Sequence, residues 1–566
     1  MPARAAALIL DAFLDYNERF ADITRRAKRR FEQRDWRAAR LDALARIDLY
    51  DVCVAETLAR LERLLDDRVR SRSLWSSMRR EYAALVAGLL DRELPKTYFN
   101  TLSRRFFHTL GVDPEIEFVA LDLDPVRGVA GSVALDRYEA GQDLVAECAR
   151  LLADRPFAIG YADAPRAAAA IAREIAERTF EDGQPLRAIE LLRPVFYRER
   201  RAYFVGRLDH GDDRTPLVIA LTSTPKGAHA DAVLTNINHV SLLFGYARNA
   251  FHADLPTVAD TVAFLEALMP HKPVGEIYSV LGRLKQGKTE RYRDLFRHLA
   301  LHPGERLVRA DGERGMVMAV FAPRDYAVVV KVIRDRFAYP KDIARRQVEE
   351  KYRLVYGYDR VGRLVDAQEF RNLRFARQQF DADMLAELTA ECAETVEVDG
   401  DEVVLRHCYV ERKLRPLNLY AREAPPDAAR RAVVDYGQAI KDLARSNVFP
   451  GDLLLKNFGV SRIGRAIFYD YDEISLVEHC RFRRLPQPRE GDETLPMEDW
   501  VSYNESDVFP EQFPRFLGLP EALRSALMTA HPEIFDADWW QSLKQRFVAG
   551  DHVDVAPYPP SARLPE

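Results

Sequence analysis

The sequence predicts an α+β chain in two parts, a mainly helical N-terminal part and a C-terminal part where short strands and helices succeed one another. Three observations lead there. At 566 residues the chain exceeds one domain, since a domain takes about 100 to 200 residues. Apolar residues at helical spacing dominate the first half, and the texture changes at Pro303-Gly304, after which strand-like runs follow in quick succession.

From residue 1 to about 150, Leu8, Ala12, Phe13, Tyr16 and Phe20, then Val54, Leu58, Leu61 and Leu65, recur at steps of three and four. Such stripes face a helical core. Alternation at Ile116 to Leu121 predicts a short strand, and Asp143 to Leu152 and Ala167 to Ile175 return to helix. Tyr203 to Leu208 and Leu217 to Leu221 flank His210-Gly211-Asp212-Asp213, the pattern of a hairpin. Beyond the boundary, strands are expected at Arg306 to Arg309, Met316 to Phe321 and Tyr326 to Ile333, then a helix through Ile343, Val348, Tyr352 and Val355. A strand at Val403 to Val410 and a helix through Val433, Tyr436, Ile440 and Leu443 complete the order. The domains are therefore 1–303 and 304–566, with a Pro-rich tail from about 555 expected to be unstructured.

The 83 basic and 88 acidic side chains nearly cancel, to a net charge of -5. No whole-chain field attracts nucleic acid or an anionic membrane, and neither is expected as a partner. Cys53, Cys148, Cys392, Cys408 and Cys480 stand singly without a CxxC pair, which speaks against a disulfide framework or zinc cluster and for a reducing cytoplasm. Ala5 to Leu10 is an apolar run too short for an export signal before Asp11 and Asp15. No run approaches the ~20 apolar residues of a membrane helix.

Lysine is the exception among the basic residues, 13 against 70 arginines. Lys331 lies inside Ala327-Val328-Val329-Val330-Lys331-Val332-Ile333, and a cation in an aliphatic strand needs an anion or a route to water. A compact ammonium there suits phosphate. Upstream, Ala310, Asp311, Gly312, Glu313, Arg314, Gly315 and Met316 join two expected strands, and their glycines let backbone N–H groups approach a polyphosphate. Asp452 precedes Asn457 by five positions, and Asp470 ends the run Ala466 to Tyr469. Phosphoryl transfer needs a carboxylate at the incoming hydroxyl and oxygen ligands for a magnesium ion that bridges phosphates. One Asp, one Asn and one Asp meet that need.

Read singly, each feature has a plainer meaning: an edge lysine, a hairpin turn, loop turns and a strand terminus. Together and in order they reproduce the protein-kinase plan of glycine loop, strand lysine, helix, strand, helix, Asp-x-x-x-x-Asn and metal-binding Asp. The loop lacks GxGxxG, Pro450-Gly451 replaces His-Arg before the catalytic Asp, Tyr471-Asp472 replaces Phe-Gly, and no Ala-Pro-Glu follows. A rival lies at Gly282 to Thr289, which satisfies the P-loop pattern with Lys288. Ile277, Val280, Leu281 and Leu284 run at helical spacing through it, where a P-loop requires a preceding strand. His407-Cys408 and His479-Cys480 lack zinc-site spacing.

The sequence resembles the isocitrate dehydrogenase kinase/phosphatase family over nearly its whole length. The resemblance lies in Arg314 to Met318, Lys331 to Ile333, Asp359 to Phe370, Asn447 to Val460 and Phe468 to Ile474, with Arg30 to Gln33 and Asp35-Trp36 near the N-terminus. It implies a helical regulatory domain that binds AMP, followed by a bilobal atypical protein-kinase-like domain. It further implies reversible phosphorylation of a serine of isocitrate dehydrogenase, controlling flux between the citric acid cycle and the glyoxylate bypass. ATP and ADP would be the nucleotides and Mg2+ the metal, with Mn2+ as a substitute. By the same resemblance Ala310 to Met316 and Lys331 contact ATP, Asp452 is catalytic, Asn457 and Asp470 bind the metal, and Asp366 serves the phosphatase. Read alone, Asp366 is a surface carboxylate at a helix end. The residues leave open a kinase for another acceptor, a P-loop NTPase using Lys288 and a nucleotide-binding pseudokinase scaffold. Glu349 and Glu350 both stand at suitable sequence distance to partner Lys331.

Overall fold

The computed structural model describes residues 1–119, 133–141, 143–183, 185–245, 251–339, 343–485, 504 and 506–565. The chain divides into two compact units: Met1–Pro303 with Asn372–Arg374 and Pro557–Glu566, and Gly304–Arg371 with Phe375–Ala556. No helix among the described residues is long and apolar enough to cross a membrane.

The first unit begins with α1 (Pro2–Gln33), α2 (Trp36–Leu65), α3 (Arg72–Val86) and α4 (Glu93–Phe107). Phe13, Tyr16, Phe20, Val54, Leu61 and Leu65 meet Trp75, Tyr82 and Tyr98 in one core, as their spacing predicts. Asp35 starts α2 by accepting from Ala38 N at 3.1 Å, which satisfies a first-turn donor. Instead of the strand expected at Ile116 to Leu121, residues 114–116 form a turn and 117–119 are irregular, and 120–121 lie outside the described residues. Ile116 is drawn into the helical core, while Glu117 accepts from Arg104 and Thr109.

The chain continues through β1 (Leu135–Glu139), α5 (Leu144–Ala153), α6 (Ala164–Asp182) and β2 (Ala188–Leu192). Next come β3 (Phe196–Arg198), β4 (Arg201–Asp209), β5 (Arg214–Thr224) and β6 (Gly227–Leu234). The sheet order is β1-β2-β4-β5-β6, with β3 on β4. The expected hairpin is β4–β5, closing at Asp209 opposite Arg214. Leu151, Ile171 and Ile175 of α5 and α6 pack on Ile189, Phe204 and Ile219 of the sheet.

The proline-rich end is ordered, contrary to expectation. Tyr558 is buried, accepts from Arg201 Nε at 2.8 Å and donates to Asp231. Leu564 N donates to Asp231 O beside β6. Two apolar anchors among prolines suffice, because proline reduces the conformational freedom lost on docking.

Four helices end the first unit: α7 (Ile237–Leu243), α8 (Val258–Leu268), α9 (Val274–Val280) and α10 (Leu284–Leu301). The P-loop pattern, Gly282 to Thr289, therefore falls on the turn after α9 and the first residues of α10, with no strand before it. Gly287 and Lys288 lie inside α10, and Gly287 serves close packing on α9. A Cβ there would stand 2.3 Å from Ser279 Oγ and 2.5 Å from Gly275 O.

The second unit opens with β7 (Leu307–Arg309), β8 (Met318–Pro323), β9 (Val328–Ile333) and α11 (Arg345–Tyr358). The chain continues with β10 (Gln368–Phe370), β11 (Leu373–Ala376, whose first two residues count with the first unit), α12 (Ala382–Glu391), β12 (Val396–Asp399), β13 (Glu402–Leu405) and β14 (Cys408–Arg412). The main sheet has the order β10-β14-β9-β8-β7 and is antiparallel throughout. The strand expected at Val403 to Val410 is two strands: β13 pairs with β12, whereas β14 crosses to β9 and β10.

Then follow β15 (Arg415–Pro416), α13 (Leu417–Glu423), α14 (Pro426–Arg445), β16 (Val448–Phe449), β17 (Phe458–Val460), β18 (Ala466–Phe468) and β19 (Ser475–Leu476). Pro426 starts α14, where a missing N–H is harmless. Val433, Tyr436, Ile440 and Leu443 bury one helical stripe against Phe458, Phe468 and Trp540.

Gly287→Ala is expected to destabilise the first unit by about 1–3 kcal/mol through overpacking, read as a lower urea midpoint; an unchanged midpoint would contradict the close α9–α10 contact.

Candidate functional site

The loop Ala310–Met316 leaves β7 and returns into β8, and Ala310 N extends the pairing by donating to Val320 O at 3.0 Å. Gly312 has φ 117°, a region open to glycine. A Cβ on Gly315 would stand 2.9 Å from Met318 O, so both glycines answer to the path of the loop. All seven loop residues line a cavity of about 440 Å³, as do Lys331, Asp452, Asn457 and Asp470. Four segments, the first beginning at Ala310 and the last at Asp470, thus converge on one space.

Lys331 is buried on β9, where its Nζ donates to Tyr469 O at 2.7 Å and pairs with Glu411 Oε2 at 2.8 Å. Glu411 lies on β14, the strand beside β9. Neither helix glutamate takes this place: Glu349 pairs with Arg353 and Glu350 with Arg346, both within α11. Glu411 carried a weaker sequence signal than Lys331, because it follows Cys408-Tyr409-Val410 but runs straight into the charged pair Arg412-Lys413.

Gly451 holds the turn before Asp452 with φ 82°. Asp452 Oδ1 accepts from Leu454 N at 2.9 Å, an Asx-type bond that orients the carboxylate. Asn457 Nδ2 donates to Asp452 O at 3.3 Å, which leaves the amide oxygen as its ligand-capable atom. Tyr469 knits the site together. Its N–H donates to Asn457 O at 3.1 Å, its hydroxyl to Lys456 O, and its carbonyl receives Lys331. Burial raises the Tyr469 phenol above its ordinary value, helped by Asp470 and Glu411, so the hydroxyl stays a donor.

Asn457, Asp470 and Asp452 present amide and carboxylate oxygens, the donors that a hard divalent cation takes. The residues present fit such an ion.

Asp366 is buried rather than on the surface, and Gln368 Nε2 donates to its Oδ2 at 2.8 Å. It does not line the cavity. Its approach runs alongside the segment that leads to Asp470: Leu364 bridges Phe468 in parallel, and Val365 N donates to Phe468 O at 3.1 Å. Two positions beyond the Leu364–Phe468 pair stand Asp366 and Asp470. Arg363, buried, secures this approach to α14 through Asp435 at 2.6 Å and Asp442 at 2.8 Å.

Sequence reasoning also missed Arg309, Arg334 and Glu387 on the cavity wall. The Glu387 carboxyl is held down at about 2: burial alone would raise it, and hydrogen bonds from Arg334, Arg309 and Arg314 override that. Glu387 carried no motif; its position became legible only once α12 was placed against the loop.

A glycine-bearing loop on an antiparallel sheet, a strand lysine anchored on a carboxylate, and Asp, Asn and Asp around one cavity define a protein of the protein-kinase-like class. Family models for the kinase domain and the regulatory domain of isocitrate dehydrogenase kinase/phosphatase (AceK) match residues 305–560 and 6–303, respectively. The chain is 51% identical over 562 residues to an isocitrate dehydrogenase kinase/phosphatase of Xanthomonas euvesicatoria pv. vesicatoria, covering 99% of this chain and 97% of the relative. Relatives of the same name from Anaeromyxobacter sp. (strain Fw109-5) and Anaeromyxobacter dehalogenans are 45% and 43% identical, covering 99% of this chain and 98% and 97% of theirs. The chain belongs to the isocitrate dehydrogenase kinase/phosphatase family.

Lys331→Ala is expected to weaken MgATP binding at least about tenfold, because a charged hydrogen bond to phosphate is worth roughly 1.5–3 kcal/mol. Lys288→Ala should leave binding unchanged in the same calorimetric titration; the reverse pattern would restore the P-loop reading.

Proposed function

We infer that this chain is a bifunctional enzyme that phosphorylates a serine of isocitrate dehydrogenase with ATP and removes that phosphoryl group again. It thereby controls flux between the citric acid cycle and the glyoxylate bypass. The observation that carries the reading is the convergence of Lys331, Asp452, Asn457 and Asp470 on a cavity bordered by Ala310–Met316. Family membership supplies the acceptor.

In the kinase direction Asp452 orients the serine hydroxyl and accepts its proton late, as the oxygen attacks the γ-phosphorus and the bond to ADP breaks. Lys331 lends positive charge to the phosphates, while Glu411 and the Tyr469 carbonyl hold its ammonium in place. Backbone N–H groups of Ala310–Met316 cradle the polyphosphate. Asn457 and Asp470 hold the divalent cation, assigned as Mg2+, which when bound neutralises phosphate charge. In the reverse direction water takes the phosphoryl group from phosphoserine in the same cavity with nucleotide bound, and Asp366 helps position that water. We assign AMP as an allosteric ligand to residues 1–303 and place the enzyme in the cytoplasm, which suits five buried thiols without a disulfide.

The direct test is mass spectrometry of isocitrate dehydrogenase incubated with this protein and ATP, then with ADP. One serine should gain a phosphoryl group and then lose it; no incorporation would overturn the reading. Asp452→Asn should lower the kinase rate roughly 100-fold or more, and near-normal turnover would remove Asp452 from the chemistry. Asp366→Ala should cost more phosphatase than kinase activity; equal losses would contradict a selective role.

A further inference from the structure

Helix α12 stands outside the strand–helix plan read from the sequence, yet it holds the nucleotide loop. Glu387 and Glu391 lie one turn apart on it, on one face. Glu387, buried, accepts from Arg309 Nε at 2.9 Å, Arg314 Nε at 3.2 Å and Arg334 Nη2 at 2.6 Å. Glu391 receives Arg314 and Arg334 as well. Arg309 ends β7 where the loop begins, Arg314 lies within the loop, and Arg334 follows β9. Arg334 also grips the loop backbone, donating from Nε to Gly315 O at 3.0 Å, while its own N–H donates to Val317 O at 2.9 Å.

These bonds fix the start, the middle and the return of the loop to two carboxylates on one helix. Three guanidinium groups face those two carboxylates, so one positive charge remains in excess, and all three arginines border the cavity. Planar guanidinium forks transmit position as well as charge.

We infer that Glu387 is a positioning residue for the nucleotide: through Arg309, Arg314 and Arg334 it keeps Ala310–Met316 in the shape that receives a polyphosphate, and so sets nucleotide affinity rather than the rate of transfer. This rests on the reading that the cavity takes MgATP. Loss of its charge lowers the fraction of loops in the competent shape, and apparent affinity falls by that fraction while the bound complex reacts normally.

The test uses the full chain, with MgATP titrated calorimetrically, kcat and KM for ATP measured on isocitrate dehydrogenase, and hydrogen exchange followed at 310–316. Glu387→Gln should raise Kd and KM about tenfold with kcat within about twofold, and speed exchange in the loop. Glu387→Asp, which keeps the charge, should recover part of the affinity. Should Glu387→Gln fold poorly, Glu391→Gln, at a partly exposed position, should raise Kd about threefold. Unchanged Kd and KM in a folded variant, or a fall in kcat at constant KM, would overturn the inference. A wild-type chain that binds no MgATP would overturn the cavity reading and this one together, whereas wild-type binding equalled by Glu387→Gln overturns this one alone.

Discussion

The buried pair of Lys331 and Glu411 is the constraint on which the catalytic unit depends. Moving two charges out of water costs several kcal/mol per ion, recovered only with close geometry and further hydrogen bonds. The pair meets that condition through adjacent strands and the Tyr469 carbonyl. The register that sets Tyr409 opposite Lys331 and Glu411 opposite Val329 places the carboxylate two residue pairs along from the ammonium, on the same face of the sheet. Because Tyr469 precedes Asp470, the same ammonium anchors the Asp470 segment to the sheet.

A strand glutamate in this role frees α11 for another. Tyr352 of α11 stacks on Tyr409 with ring centroids 4.1 Å apart and meets Tyr471 edge-on at 5.1 Å. Tyr471 in turn donates to Val365 O at 2.6 Å. The departure from Phe-Gly after Asp470 is therefore a core contact, with the phenol oxygen satisfied as burial requires. Lys351 of α11 donates to Ile474 O at 2.6 Å. The helix steadies the segment after Asp470 through aromatic packing and one ammonium, rather than through an ion pair with Lys331.

Local chemistry explains which parts of this were legible. Phe13, Tyr16 and Phe20 announced a helix because their spacing is a property of the chain alone, and Lys331 announced a site because a charge in an aliphatic strand is anomalous wherever that strand lies. The break at Arg406-His407 was hidden because β13 and β14 are both apolar and differ only in the strands they join. Tyr558 and Leu564 gave little warning of a docked tail, since their anchors, Arg201 and Asp231, lie more than 300 residues away.

The sequence by itself determined the helical and sheet-bearing halves, the order of the residues that converge on the cavity and the family, because periodicity, charge in apolar runs and long motifs are written in consecutive residues. Only the tertiary structure decided that Glu411 rather than Glu349 or Glu350 meets Lys331, that Asp366 is buried beside the strand leading to Asp470, and that α12 holds the loop Ala310–Met316. Those choices depend on strand register and helix docking, which bring together side chains whose separation along the chain carries no periodic signal.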